Sequence, residues 1–324
     1  MGVDGLRVAA HFARARWRLD FRDRAALDAW QAARLARFLR EVLPRAPRFR
    51  GLAGAPLSSL PTMDKAAMMA DFAAFNSAGI GVDEAMAVAL RAEASRDFSP
   101  MLPGGIAVGL SSGTSGNRGL FLVSRAERLR WAGVLLARAL PPQLLGRLLS
   151  PWCAPLRVAF FLRAGSRLYD TLASRRIDFR FFDLLQGLDA AVPVLAAQAP
   201  DVLVAPPTVL RALCARVQAG ELRLRPAHVI AVAEVLEPAD AQAVQETLGQ
   251  RPHTLYQATE GFLGYSCEHG RLHLNEAFVH VEPEWLDATR TRFQPVITDF
   301  SRETQLIVRY RLNDVLRVGT EACP

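Results

Sequence analysis

The chain has 324 residues, 51% of them hydrophobic and 22% charged, and a formal net charge of +7. These values fit a soluble globular protein with a large core, in one big domain or two. No run approaches the roughly 18 apolar residues that span a bilayer, and charges break the first stretch, "MGVDGLRVAAHFARARWRLDFRDR", so neither a membrane helix nor a secretory leader is expected. Leu6 stands where a myristoylation signal wants Ser or Thr. Cys153, Cys214, Cys267 and Cys323 are far apart, which is no disulfide framework and points to a reducing, cytoplasmic setting. Of the 39 basic residues only Lys65 is a lysine. The arginines are scattered among Ala and Leu rather than gathered in a stripe, so no nucleic-acid face is expected.

In chain order, residues 4–45 read as helix, with periodic apolar positions and Arg on the other face. "APLSSLPTMDKAAMMADF" is a Pro-punctuated link into a short helix starting near Asp64. "GIAVGLSS" and "LFLVS" read as strands around a Gly/Ser loop, and Ser124 with Glu127 forms a capping box that opens a helix ended by Pro141-Pro142. Then come alternating units: strand "LRVAFFLR", helix "VPVLAAQA", strand "DVLVA", helix "TVLRALCARVQAG", strand "HVIAVAE", a helix over 240–248 and strand "HTLYQATE". Such alternation predicts an α/β fold with a mostly parallel sheet. After residue 270 the texture turns to β, in "RLHLNEAFVHVE", "PVITDF" and "TQLIVRYR".

The loop "GLSSGTSGNRGLFLVS" concentrates glycines and small hydroxyls. Gly113, Gly116 and Gly119 allow a tight fold that turns N–H groups inward, and Ser111, Ser112, Thr114 and Ser115 add hydroxyl donors, a composition suited to oxyanions. It joins two strands, whereas Walker and dinucleotide loops open a helix. A flexible hairpin turn is the plain alternative.

The loop resembles the Ser-Ser-Gly-Thr-Thr-Gly-x-Pro-Lys signature of the adenylate-forming superfamily. "YQATE", residues 256–260, resembles its Tyr-Gly-x-Thr-Glu motif, and "TDFSRETQLIVRYRLND", residues 298–314, resembles its Thr-Asp-Leu to Arg-x-Gly-Asp stretch. "VAE", residues 232–234, stands where the family has Gly-Ala-Glu. Within the superfamily the sequence is most similar to the phenylacetate–CoA ligase group, and there to a branch sharing "LPxMDK", "SSGTSGNRG" and "YQ(x)TEGFLG". The resemblance implies an acyl-CoA synthetase-like N-terminal core of layered sheets and helices over residues 1–269 and a β-rich subdomain over 270–324. It also implies ATP-dependent adenylation of a small carboxylic acid with Mg²⁺, followed by transfer to CoA. An amine or carrier protein as acceptor, and a non-catalytic nucleotide- or acyl-binding core, are the alternatives.

Carried over residue by residue, the resemblance gives Ser111, Ser112, Gly113, Thr114, Ser115 and Gly116 to the phosphates, Thr259 to the α-phosphate, and Glu260 to Mg²⁺. Tyr256 lies against adenine, Glu234 lines the nucleotide site and Asp314 accepts the ribose hydroxyls. Arg311 is a phosphate or a structural partner. Departures are Arg118 and Gly119 for Pro-Lys, Gln257 and Asn313 for Gly, and Gln305 for Pro; Arg118 can still offer a cation to phosphate. The family's catalytic lysine sits on a C-terminal lid. Lys65 reads instead as a helix-start surface residue, and the chain stops soon after Asp314, so a core without its lid is expected, one that binds nucleotide and adenylates poorly.

Some relatives hold a structural zinc. Cys267, His273 and Cys323 are candidate ligands here, with His269 as a fourth. The alternative is a strand-borne His and two unrelated cysteines. Phe262, Leu263, Trp131 and Trp152 are candidates for either an acyl pocket or the core.

Overall fold

The computed structural model describes residues 2–111, 118–163, 169, 171–320 and 323. The chain forms two compact units, each discontinuous in sequence. One comprises 1–16, 129–258 and 264–273, and the other 17–128, 259–263 and 274–324.

The first unit is built on parallel pairing. A seven-stranded sheet has the order β4-β3-β5-β6-β7-β8-β9, where β3 is Leu156–Leu162, β4 Ile177–Asp183, β5 Val202–Ala205, β6 His228–Ala231, β7 His253–Ala258, β8 Gly261–Ser266 and β9 Leu272–Leu274. The ladders from β4 through β7 are parallel. All four residues of β5 and of β6 are buried, the signature of strands covered on both faces. On one face Leu203, Ala205, Val229 and Ala231 join Phe161, Leu210, Leu213 and Val244 in one apolar core. The helices that cover them are α7, Leu188–Gln198, α8, Pro207–Gln218, and α9, Pro238–Leu248, in the order the alternation predicts. Strand β4 is an element the sequence reading passes over, because in "IDFRFFD" charged residues interrupt the apolar run.

Asp201 pins the start of β5. Its carboxylate accepts from the Arg157 backbone N–H at 3.0 Å and from the Arg157 guanidinium at 3.0 and 3.1 Å, and Arg147 adds a bond at 3.0 Å. Burial alone would raise its pKa; the two guanidinium groups outweigh that and hold it at about 2.

The second unit carries helix α2, Arg24–Glu41, the short helix α3, Lys65–Ala70, and α4, Val82–Ser95. The helix expected over 4–45 is thus interrupted. The α-helix α1 of the first unit runs Val3–Ala13 and passes into a π-helical stretch, Arg14–Arg18, and a new helix starts after Asp23. The Asp23 carboxylate caps it by accepting from the Ala26 N–H at 2.8 Å. Strands β1, Ala107–Leu110, and β2, Leu120–Val123, pair antiparallel around the Gly/Ser loop. Gly109 is required there: a Cβ on it would lie 2.3 Å from the Phe121 ring. A separate antiparallel sheet joins β10, Val279–Trp285, β11, Arg292–Asp299, β12, Tyr310–Arg311, and β13, Leu316–Arg317. "TQLIV" contributes no strand; Gln305 makes only an isolated bridge with Asn76.

The Asp201 cluster sets an acid limit. With a folded pKa near 2 against about 3.8 unfolded, its stabilisation is complete above both values and is lost as pH falls between them. Urea unfolding from pH 6 to pH 2.5 should show a loss of the order of 2 kcal/mol from this group. Asp201→Asn should be less stable at pH 6 and correspondingly less acid-sensitive.

Candidate functional site

The candidate residues of the second unit gather around the two-residue connection Thr259–Glu260 between β7 and β8. Thr259 Oγ1 donates to the Glu260 carboxylate at 2.8 Å, and the Tyr310 hydroxyl hydrogen-bonds to the same group. Burial of Tyr310, 2% exposed, is the main force raising its phenol pKa, and the Glu260 and Asp64 carboxylates add to it. Tyr310 is therefore a neutral donor that fixes the orientation of Glu260.

The backbone of the turn is held from below. Arg302, buried, donates at 3.0 Å to both the Thr259 and Glu260 carbonyls and at 2.8 Å to the Leu122 carbonyl of β2. Its charge is balanced by Glu127 on helix α5, Arg125–Ala139, and by Asp299 at the end of β11. Glu127 makes the expected capping box, accepting from the Ser124 N–H and hydroxyl at 2.7 Å each. Its second oxygen accepts from the N–H groups of Glu303 and Thr304 at 2.7 and 2.9 Å. Burial raises the Glu127 pKa, but Arg302 and these donors prevail and leave it below the usual carboxylate value. Asp299 is raised: for it burial prevails over Arg302 and the Ser301 donors.

The described ends of the Gly/Ser loop lie in this unit too. Ser111 N–H donates to the Gly119 carbonyl at 2.8 Å, and Gly119 N–H donates to Ser111 Oγ at 2.7 Å, so the loop leaves the hairpin through a closed neck. Ser112, Gly113, Thr114, Ser115 and Gly116 lie outside the described residues. Next to the neck is a pocket lined by Lys65, Gly119, Thr259, Glu260, Gln305 and Tyr310, among others. Lys65 begins α3, as expected, but its half-buried side chain lines this pocket rather than open surface. Backbone pairing brings it there: Met63 N–H donates to the Arg309 carbonyl at 3.0 Å and Arg311 N–H to the Met63 carbonyl at 2.8 Å, so "LPTMDK" runs beside "RYR".

The remaining candidates divide. Arg311 forks onto Glu284 at 2.6 and 2.7 Å. Arg118, expected to offer a cation, is instead paired with Glu93 at 2.5 Å. Asp314 is exposed. In the first unit Tyr256 lies half-buried on β7. Glu234, exposed, accepts from the Thr208 N–H and hydroxyl at 3.1 and 3.0 Å, at the start of α8. Cys267 and His273, candidate metal ligands, lie in the first unit, and Cys323 lies in the second. His269 faces Glu268 at 3.7 Å. Phe262 and Leu263 are buried, while Trp152, expected in a pocket or core, is 93% exposed.

Two departures from the motif pattern gain a physical reason. Gln257 Oε1 accepts from the Trp131 indole N–H at 2.9 Å. Gln305 Oε1 accepts from Leu122 N–H at 2.9 Å and its amide donates to the Leu120 carbonyl at 3.3 Å, so a side chain pairs with β2 where Pro would offer nothing. Arg302 and Tyr310 were not singled out from sequence. Tyr310 has a signal, a lone aromatic alternating with outward-facing arginines; Arg302 has none, because its partners are carbonyls of distant segments.

No protein-family model matches the sequence, and no curated protein matches it. Among solved structures the chain is similar to a 2-hydroxyisobutyryl-CoA ligase in complex with 2-HIB-AMP and CoA. The open conformation aligns with 15% identity over 91% of this chain and 69% of that one, at a TM-score of 0.59. The thioesterification state aligns with 16% identity over 91% and 63%, at 0.57. The postadenylation state with 2-HIB-AMP aligns with 17% identity over 91% and 63%, at 0.56. The chain thus shares an α/β fold with these structures and spans 63% to 69% of their length.

Arg302→Met should cost about 3 kcal/mol of unfolding free energy, since it leaves three carbonyls without their donor and the buried Glu127 carboxylate without its countercharge. Combined with Glu127→Gln the loss should be smaller than the sum of the two single losses, measured by urea denaturation in a double-mutant cycle.

Proposed function

We propose that this chain is the nucleotide-binding core of an adenylate-forming acid–CoA ligase. One observation carries the reading: a Thr-Glu turn, clamped through its carbonyls and its carboxylate, stands in the same pocket as the neck of the Gly/Ser loop, within a fold alignable to a CoA ligase over nine tenths of the chain.

In this reading a carboxylate oxygen of a small acid attacks the α-phosphorus of ATP, the bond to the bridging oxygen breaks and pyrophosphate leaves. The thiol sulfur of CoA then attacks the acyl carbon and AMP leaves. The loop residues Ser111 to Gly116 hold the departing phosphates through N–H and hydroxyl donors. Thr259 donates to the α-phosphate where charge grows, and the Arg302 clamp holds its backbone still meanwhile. Glu260, oriented by Tyr310, is a hard oxygen ligand suited to Mg²⁺, which supplies charge neutralisation when bound. Tyr256 packs against adenine, Glu234 lines the nucleotide site and Asp314 takes the ribose hydroxyls. CoA as acceptor rests on the fold similarity, and CoA-dependence of product release separates it from an amine or carrier protein.

Zinc is the metal we assign to Cys267, His273 and Cys323. Thiolates and imidazole are its preferred donors, and His273 Nε2 is buried with no hydrogen-bond partner, as a ligating nitrogen would be before metal is added.

Calorimetry with Mg·ATP should show one site per chain, and Glu260→Gln should weaken it about tenfold or more with an unchanged melting temperature. Acid-dependent exchange of pyrophosphate into ATP across a panel of carboxylic acids reads the reaction itself. A chain that binds no Mg·ATP would overturn the proposal. Metal analysis should find one zinc per chain, lost in Cys267→Ser.

A further inference from the structure

The geometry points to Lys65 as the ligand of a polyphosphate anion, the pyrophosphate portion of a bound nucleoside triphosphate; this rests on the nucleotide reading above. The argument begins with charge. N–H groups and hydroxyls such as those of the pocket beside Gly119, Thr259 and Tyr310 can bind an anion but carry no full positive charge of their own. A tri- or tetra-anion held there calls for a cation within reach, and each basic side chain near the loop can be checked in turn.

Arg118, next to the loop, is engaged with Glu93 at 2.5 Å. Arg302 is buried and its donors are spent on the Thr259, Glu260 and Leu122 carbonyls. Arg309 and Arg311 are held by Glu282 and Glu284. Among the described residues Lys65 is the only basic one lining the pocket, and its ammonium makes no ion pair or hydrogen bond with any of them.

The placement of Lys65 is built, not incidental. Asp64 caps α3 by accepting from the Ala67 N–H at 2.9 Å, and the Met63 backbone is tied on both sides to the 309–311 segment. The Lys65 methylenes run along Gly119: a Cβ on that glycine would lie 3.3 Å from Lys65 Cδ and 3.4 Å from Cε. The bare glycine at the loop neck therefore leaves the channel along which the lysine stem passes, and any side chain there would crowd it. The ammonium is delivered between the neck of the loop and the Thr259–Glu260 turn.

The residue type fits as well. A chain that uses arginine for every other basic position has kept one lysine, here. An ammonium is a compact point charge with three rotatable donors on a slim stem, which passes a glycine-wide gap and can follow a phosphate as it changes from bridging to free. A guanidinium is a wide planar fork that seeks two fixed acceptors.

A single lysine makes the test direct. Protein grown with ¹³C,¹⁵N-lysine gives one side-chain signal set, to be followed on adding tripolyphosphate, Mg·ATP and adenosine. The Lys65 Cε and Nζ signals should move with tripolyphosphate and with Mg·ATP and stay in place with adenosine. Lys65→Met, which keeps the stem against Gly119, should weaken tripolyphosphate and Mg·ATP binding by about tenfold or more, leaving adenosine affinity within about twofold. Mg·ATP binding that leaves the lysine signals still and is unchanged in Lys65→Met would overturn the assignment while the nucleotide reading stands. Tripolyphosphate binding at Lys65 without any binding of Mg·ATP would keep the assignment and overturn the nucleotide reading. Absence of binding by both overturns both. The wild-type titration decides the matter even where the variant folds poorly.

Discussion

A guanidinium taken out of water is unstable unless nearly all its donors find acceptors, and Arg302 meets that demand in a way that organises its surroundings. Three carbonyls from two distant stretches accept its bonds, and two carboxylates balance its charge. Each partner is thereby fixed relative to the others: the turn that carries Thr259 and Glu260, the strand leaving the Gly/Ser loop, and the first turn of α5. Glu127 extends the arrangement by capping its own helix with one oxygen and binding the 303–304 backbone with the other. A side chain that touches no candidate ligand thus determines where those that do can stand.

The fold was largely legible in the sequence because its elements are locally consistent. Strands β5 and β6 are almost unbroken apolar runs, and the helix between them begins at Pro207 and closes near Gly220, which has a φ of +76°. What escaped is what local pattern does not encode. The break after Ala13 has no helix-breaking proline, only a capping aspartate downstream at Asp23. Strand β4 was obscured by charges at alternate positions of its exposed face.

The candidate site was half legible. The resemblance to the adenylate-forming motifs singled out Thr259, Glu260 and the Gly/Ser loop, three stretches in the same order along the chain. The supports of the site were not, because they act at long range. Tyr310 reaches Glu260 across fifty residues of chain, and Lys65 arrives by pairing of "LPTMDK" with "RYR". The substitutions at Gln257 and Gln305 look like losses in a linear comparison and are gains in space, each supplying bonds that Gly or Pro cannot.

The near-absence of lysine also has a practical side. Any amine-reactive reagent, whether a bifunctional crosslinker, a fluorescent ester or an activated sensor surface, meets one side chain on this protein, and that side chain borders the pocket. Immobilisation through the Lys65 amine, where it outcompetes the terminal α-amine, would seat the molecule with the neck of its loop against the support. Attachment through the exposed arginine-rich surface or an appended tag leaves that entrance open.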